Sequence, residues 1–285
     1  MSRHALTLAL VGLFAALPAA GQQISDFQVF PIVARTAGVG GTQWVSDLTM
    51  FNPHDHALTV GLQFFPADQA NTFNFLMPDR VTLDPRETVI FEDVLHGFFG
   101  YDTDIKGALV ASSDHELIPA NPENDDFTAV TRTYNIGSPL GTFGQTIPAL
   151  ESTYNPGLGS SFATGARNDD RFRSNLGIVN LSLDEEIRVH YRIRSANGTI
   201  LVEGLKAIPA VSVRQWSFAQ LGIGHASGPL TVELWLDPGS VTPDPCNADF
   251  PNMFVGYVSK VDGNPTGTGD GEFIYAAPAG ECPDD

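Results

Sequence analysis

One nine-residue strand phrase occurs twice in this chain, and any fold must house it twice. The first copy is Trp44-Val45-Ser46-Asp47-Leu48-Thr49-Met50-Phe51-Asn52, the second Phe172-Arg173-Ser174-Asn175-Leu176-Gly177-Ile178-Val179-Asn180. An aromatic opens each, Ser, Leu and Asn recur at the same steps, and Asp47 answers to Asn175. The apolar period is two residues: Trp44, Leu48 and Met50 share one face, as do Phe172, Leu176 and Ile178. Such a period belongs to a strand with one face on a core.

The flanking sequence repeats in the same order. Leu58, Val60, Leu62 and Phe64 are answered by Ile187, Val189, Tyr191 and Ile193, and residues 127–135 by residues 254–262. The repeat distance is about 128 residues, the mark of a tandem duplication. Further strands are expected at 27–33, 72–77, 80–83, 88–91, 106–112 and 143–150, one helical turn at 92–97, and an irregular connection at 152–170. Short strands between turn residues, with almost no helical period, predict an all-β chain of two tandem β-sandwich domains, 22–150 and 151–285. Immunoglobulin-like topology is the expectation and a jelly roll the alternative. Asn197-Gly198 predicts a two-residue hairpin turn that pairs Ile193 with Val202 on the core face and Arg192 with Glu203 outside.

Residues 1–21 read as a signal peptide. Arg3 and His4 precede a short apolar run, and Ala19-Ala20-Gly21 offers small residues for cleavage. Export to the periplasm, cell surface or medium follows, with no transmembrane segment expected in the mature chain. In such a compartment Cys246 and Cys282, the only cysteines, are expected to form a disulfide. The net charge of −18 argues against nucleic acid as a partner, because phosphate contacts need Lys and Arg.

The key strand's second copy and Gly256-Tyr257-Val258-Ser259-Lys260-Val261-Asp262 resemble motifs of a family of exported bacterial proteins built from tandem immunoglobulin-like β-sandwich repeats. The resemblance covers both units. It implies fold and export and carries over no catalytic residue.

Candidate sites are few. Arg188, Arg192 and Arg194 form a basic stripe suited to an anionic partner, or to neutralisation by neighbours such as Glu203. Phe98, Phe99 and Tyr101 form an aromatic loop that could meet a partner, the other unit or the core. Trp44 and Trp216 are in core phase, so burial is expected of them rather than sugar stacking. Asp262 and Asn264 open a loop that weakly resembles a calcium site, but no Glu stands at its twelfth position. His54-Asp55-His56 offers two imidazoles in a turn, too few for a metal. His115-Glu116 cannot start a zinc-protease helix, since Pro119 follows. No metal, cofactor or catalytic residue is therefore expected. The function read from the sequence is that of an exported non-enzymatic structural or adhesive protein with a protein or glycan surface partner. A carbohydrate- or ligand-binding module is the alternative, and a hydrolase on a sandwich scaffold comes third.

Overall fold

The computed structural model describes residues 23–121, 125–139, 141–150, 155–246, 252–262 and 269–278. The first nine strands are β1 (Ile24–Ser25), β2 (Phe27–Ala37), β3 (Gln43–Phe51), β4 (Leu58–Pro66), β5 (Asp79–Leu83), β6 (Thr88–Phe91), β7 (Ile105–Ser112), β8 (Phe127–Asn135) and β9 (Phe143–Pro148), with one helical turn, α1 (Val94–Gly97). Nine more follow: β10 (Ser161–Asn168), β11 (Phe172–Asn180), β12 (Ile187–Arg194), β13 (Ile200–Ile208), β14 (Ser212–Ser217), β15 (Ala226–Leu236), β16 (Phe254–Asp262), β17 (Gly271–Tyr275) and β18 (Ala277–Pro278). They form three antiparallel sheets of nine, five and four strands. The nine-stranded sheet is two layers joined at a corner, where the last two residues of β2, Thr36 and Ala37, pair with β3.

In the first unit β1 pairs with β8, β2 with β7, β3 with β6 and β4 with β5. That is a long hairpin wrapped over itself, the jelly-roll order. The second unit repeats it, with β10 on β15, β11 on β14, β12 on β13, and an Asn155–Phe254 bridge where β1 meets β8. The immunoglobulin-like expectation is corrected accordingly. That topology sets the last two strands side by side in one sheet, whereas here β7 lies between β2 and β4 and β8 lies beside β3. The link from β7 to β8 crosses between layers instead of folding back. Buried Asn121 anchors the crossing: its Oδ1 accepts from Thr59 N at 2.9 Å and its Nδ2 donates to Thr59 O at 2.6 Å and Ser113 O at 2.8 Å.

Each unit has its own core. Phe30, Leu48, Met50, Leu62, Leu109 and Phe127 fill the first, and Leu176, Ile178, Ile193, Phe218, Leu234 and Phe254 the second. A third cluster joins them. The outer face of β2-β7-β4 (Val29, Phe65, Val110) packs on the outer face of β14-β11-β16 (Val213, Val179, Tyr257). Fully burying an aliphatic side chain is worth about 1.5–3 kcal/mol, so this contact holds the sandwiches together. Strands that face only a core alternate, as β8 and β12 do, while β7 and β16 lie between a core and the other unit and are buried almost throughout.

Two local expectations are corrected. Residues 72–77 are not a strand; Met77 there takes a positive φ of 39°. The 152–170 stretch is not irregular throughout, because it contains β10, whose register against β15 shifts on both sides of Ala166 and hides the period. The 1–21 segment lies outside the described residues. Among the described residues no helix is long and apolar enough to cross a membrane.

Candidate functional site

The sheet contact between the units is apolar at one end and polar at the other. On β11 the face toward the first unit carries Val179, Gly177, Asn175 and Arg173 in turn, and β16 runs alongside with Val255, Tyr257, Ser259 and Val261. Near Val179 and Val255 the sheets close on each other. Toward Arg173 they part, and a cleft of about 750 Å³ opens. That is the size of a small-ligand site. A smaller apolar pocket of about 330 Å³, lined by Phe27, Phe73 and Phe75, lies at the closed end.

Thr36 and Lys106 line the cleft from the first unit, and Arg173, Asn175, Gln215 and Gln220 from the second. Trp44 stands in the wall half-buried, its Nε1 donating to Thr42 Oγ1 at 3.0 Å. Gln145 Nε2 donates to Ser259 Oγ at 2.8 Å and ties the units there. Asp68 and Asp104 bring carboxylates to the cleft. Asp104 Oδ2 accepts from Ala37 N at 3.0 Å, and Asp68 lies 4.0 Å from Arg214 Nε. Arg173 and Lys106 make no ion pair among the described residues. Burial pulls the Arg173 guanidinium below its ordinary pKa, and the charge of Asp262 opposes that shift. Arg173 and Lys106, which make no ion pair among the described residues, thus line one cleft of mixed polar and apolar character together with Asp68 and Asp104, in a chain of net charge −18.

The residues singled out from the sequence lie elsewhere. Arg188 is exposed. Arg192 bonds Glu203 Oε2 at 3.0 Å and lies 3.4 Å from Glu233 Oε2, which Arg194 also meets at 3.4 Å. The stripe is thus largely neutralised across the sheet. His190 stacks on Trp235 with ring centroids 5.1 Å apart and bonds Asp237 at 2.9 Å. Phe98, Phe99 and Tyr101 do not reach the second unit. They pack half-buried on the first core, with Phe98 on Phe91, and Phe99 and Tyr101 on Phe64. Trp216 packs partly buried on the second core, but Trp44, expected in a core, lines the cleft. Asp262 lies 3.8 Å from Arg171 Nε, and Asn264 lies outside the described residues. Cys282 also lies outside them, and no described cysteine is free.

Arg173, Asn175, Gln215 and Lys106 were missed by sequence reasoning. The signal was there for two of them, on the non-core phase of the repeated strand, but that phase gives no hint of which surface faces it.

No family model matches this sequence, and no curated protein does. Among solved structures, β-glucuronidase 2 of Bacteroides uniformis, covalently bound to cyclophellitol-6-carboxylate aziridine, is similar at 12% identity over 87% of this chain and 26% of that one, with a TM-score of 0.17. The chain thus spans about a quarter of that structure, and so low a score carries no argument about fold or activity.

Proposed function

We propose that this is an exported, non-enzymatic interaction protein whose binding element is the cleft between its sandwiches, and that the ligand is a glycan bearing an acidic group. The observation that carries this reading is the pair of cations, Arg173 and Lys106, that make no ion pair among the described residues and line one cleft of an acidic chain. The amides of Asn175 and Gln215 each offer donors and an acceptor, the pairing that sugar hydroxyls need, while Gln220 offers its Nε2, its Oε1 already accepting from Ser217 N. Trp44 adds an apolar ring with a polar edge. Arg173 presents a planar fork suited to a carboxylate. The apolar contact between the units favours a second role as a stiff spacer at the cell surface. The signal peptide at 1–21, the origin of the two units by duplication and the Cys246–Cys282 bridge belong to the same proposal.

The test is calorimetric titration of the purified mature protein with neutral and uronate-containing oligosaccharides. Saturable binding of an acidic oligosaccharide, weakened by Arg173→Ala and by Lys106→Ala but not by charge reversal at Arg188, is the expected result. Turnover of any bound glycan that is lost in Asp104→Asn without loss of folding would overturn the non-enzyme claim.

A further inference from the structure

The β3–β4 turn and the loop before β8 are far apart in sequence, yet they meet at one edge of the first sandwich. Asn52 shapes the turn. Its Oδ1 accepts from His54 N at 2.9 Å and its Nδ2 donates to His56 O at 2.8 Å. Held this way, the imidazoles of His54 and His56 stack, with centroids 5.1 Å apart and planes 27° apart. Across from them lies the Asp125 carboxylate, with only 4% of its side chain exposed. Its loop is pinned by Ser113 Oγ, which donates to Asp125 O at 2.5 Å, and by the Asn121 amide. His56 Nε2 is 3.1 Å from both Asp125 oxygens, and His54 Nε2 is 2.7 Å from Asp126 O.

We infer that His54, His56 and Asp125 form a binding site for a divalent transition-metal ion of the Zn²⁺ type, one that clamps the turn to the crossing loop. One ligand atom from each residue lies within 4.8 Å of the others. Ligands about 2.0–2.1 Å from a tetrahedral ion are separated by about 3.3 Å, so the 3.1 Å gap between His56 and Asp125 already approaches that spacing. The ion replaces the His56–Asp125 hydrogen bond, and His54, whose Nε2 donates to Asp126 O, binds through Nδ1 by closing from within 4.8 Å toward that spacing. Two imidazole nitrogens and one carboxylate favour Zn²⁺ over Ca²⁺ or Mg²⁺, which want six or more oxygens. Three protein ligands leave the fourth position to water. A buried carboxylate in an acidic chain supplies the opposing charge. The second sandwich has no counterpart: the turn after Asn180 reads Leu181-Ser182-Leu183-Asp184-Glu185. Among the described residues no second group of this kind occurs, so the site makes the units chemically unlike.

The experiment takes the full mature chain, strips it with chelator and titrates it with Zn²⁺ against a chromophoric zinc chelator, with thermal unfolding followed in parallel. One Zn²⁺ per chain, a higher Tm with Zn²⁺ but not with Ca²⁺, and visible Co²⁺ absorption of tetrahedral intensity are the expected results. His56 is half exposed, so His56→Ala should still fold; it should weaken Zn²⁺ binding by about tenfold or more. His54→Ala should do the same, and His225→Ala, on the other unit, should leave binding unchanged. Absence of saturable binding, an equal response to Ca²⁺, or a Zn²⁺ affinity untouched in the His54→Ala/His56→Ala double variant would overturn the assignment and leave a hydrogen-bonded turn.

Discussion

Asn52 and Asn180, which close the two copies of the repeated strand, make the same hydrogen bonds. The Asn52 Nδ2 donates to the carbonyls of His56, Leu83 and Asp84, and its Oδ1 accepts from His54 N. The Asn180 Nδ2 donates to those of Glu185, Ile208 and Pro209, and its Oδ1 accepts from Ser182 N. Both are fully buried. Each stitches the turn after its strand to the end of the hairpin beside it. The repeated serine behaves likewise: Ser46 Oγ accepts from Ala34 N of β2, and Ser174 Oγ from Arg167 N of β10. The identities in the repeat are therefore the atoms that lock one layer of each sandwich to the other.

Asn180→Ala should cost about 2–4 kcal/mol, because several buried carbonyls lose their donor at once. Asn180→Asp should be no better, since an ionised carboxylate accepts but cannot donate. Denaturant midpoints at constant slope measure this, and a loss below about 0.5 kcal/mol would show that the amide is not holding the turn.

Tyr257 lies flat on β11 at Gly177, where any Cβ would enter its ring. Gly177→Ala should therefore destabilise by about 1–3 kcal/mol or more through forced repacking. Burial pushes the Tyr257 phenol pKa far up, and among the described residues its hydroxyl has no hydrogen-bond partner. Tyr257→Phe should be neutral or stabilise by up to about 1 kcal/mol, since it removes an unsatisfied group. Thermal unfolding of both variants tests the pair, and a clear loss in Tyr257→Phe would mean that the hydroxyl has a partner.

Burial, and then the charges of Asp114 and Asp126, raise the pKa of Asp26 above 3.8. A raised folded-state pKa means that the ionised form costs stability in the fold, a cost that sets in as pH rises through that pKa. Asp26→Asn should thus stabilise the protein at pH 7, by less than about 1 kcal/mol because the group is partly exposed. The advantage should shrink as pH falls below the ordinary Asp range. Unfolding curves at neutral and acid pH give the comparison; a gain that grew on acidification would have the wrong sign.

A Cys246–Cys282 bridge would close a loop of about 37 residues and contribute roughly 4 kcal/mol in the chain-entropy account. Alkylation of the non-reduced, denatured mature protein should label no thiol. Two labelled cysteines would remove the bridge.

The sequence made strand positions and hairpin register legible where one side of a strand faces a core. The pairings Ile193–Val202 and Arg192–Glu203 are as the alternation predicts, and Ile193 is fully buried. The turn beyond them differs. Gly198 N donates to Ser195 O, only Gly198 has a positive φ, and the register shifts between Ile193 and Arg194. A three-residue turn and a bulge thus reach the register expected of a two-residue turn. Topology was not legible, because alternation on β8 says which face is buried but not which strand lies beside it. The cleft was hidden for a related reason: Arg173 and Asn175 read as an ordinary outer face until the first unit is set against them. His54 and His56 could be seen, but Asp125, their partner 69 residues from His56, could not be matched to them from spacing.

Trp44 stands in the wall of the cleft between the sandwiches and reports on ligand bound there. Trp216 and Trp235 do not line the cleft, so Trp216→Phe/Trp235→Phe leaves Trp44 as the only tryptophan in the chain. Titration of that variant with a uronate-containing oligosaccharide should shift Trp44 emission along a saturating curve, and Arg173→Ala in the same background should flatten the curve. Binding that leaves Trp44 emission unchanged and survives Arg173→Ala would place the ligand outside the cleft.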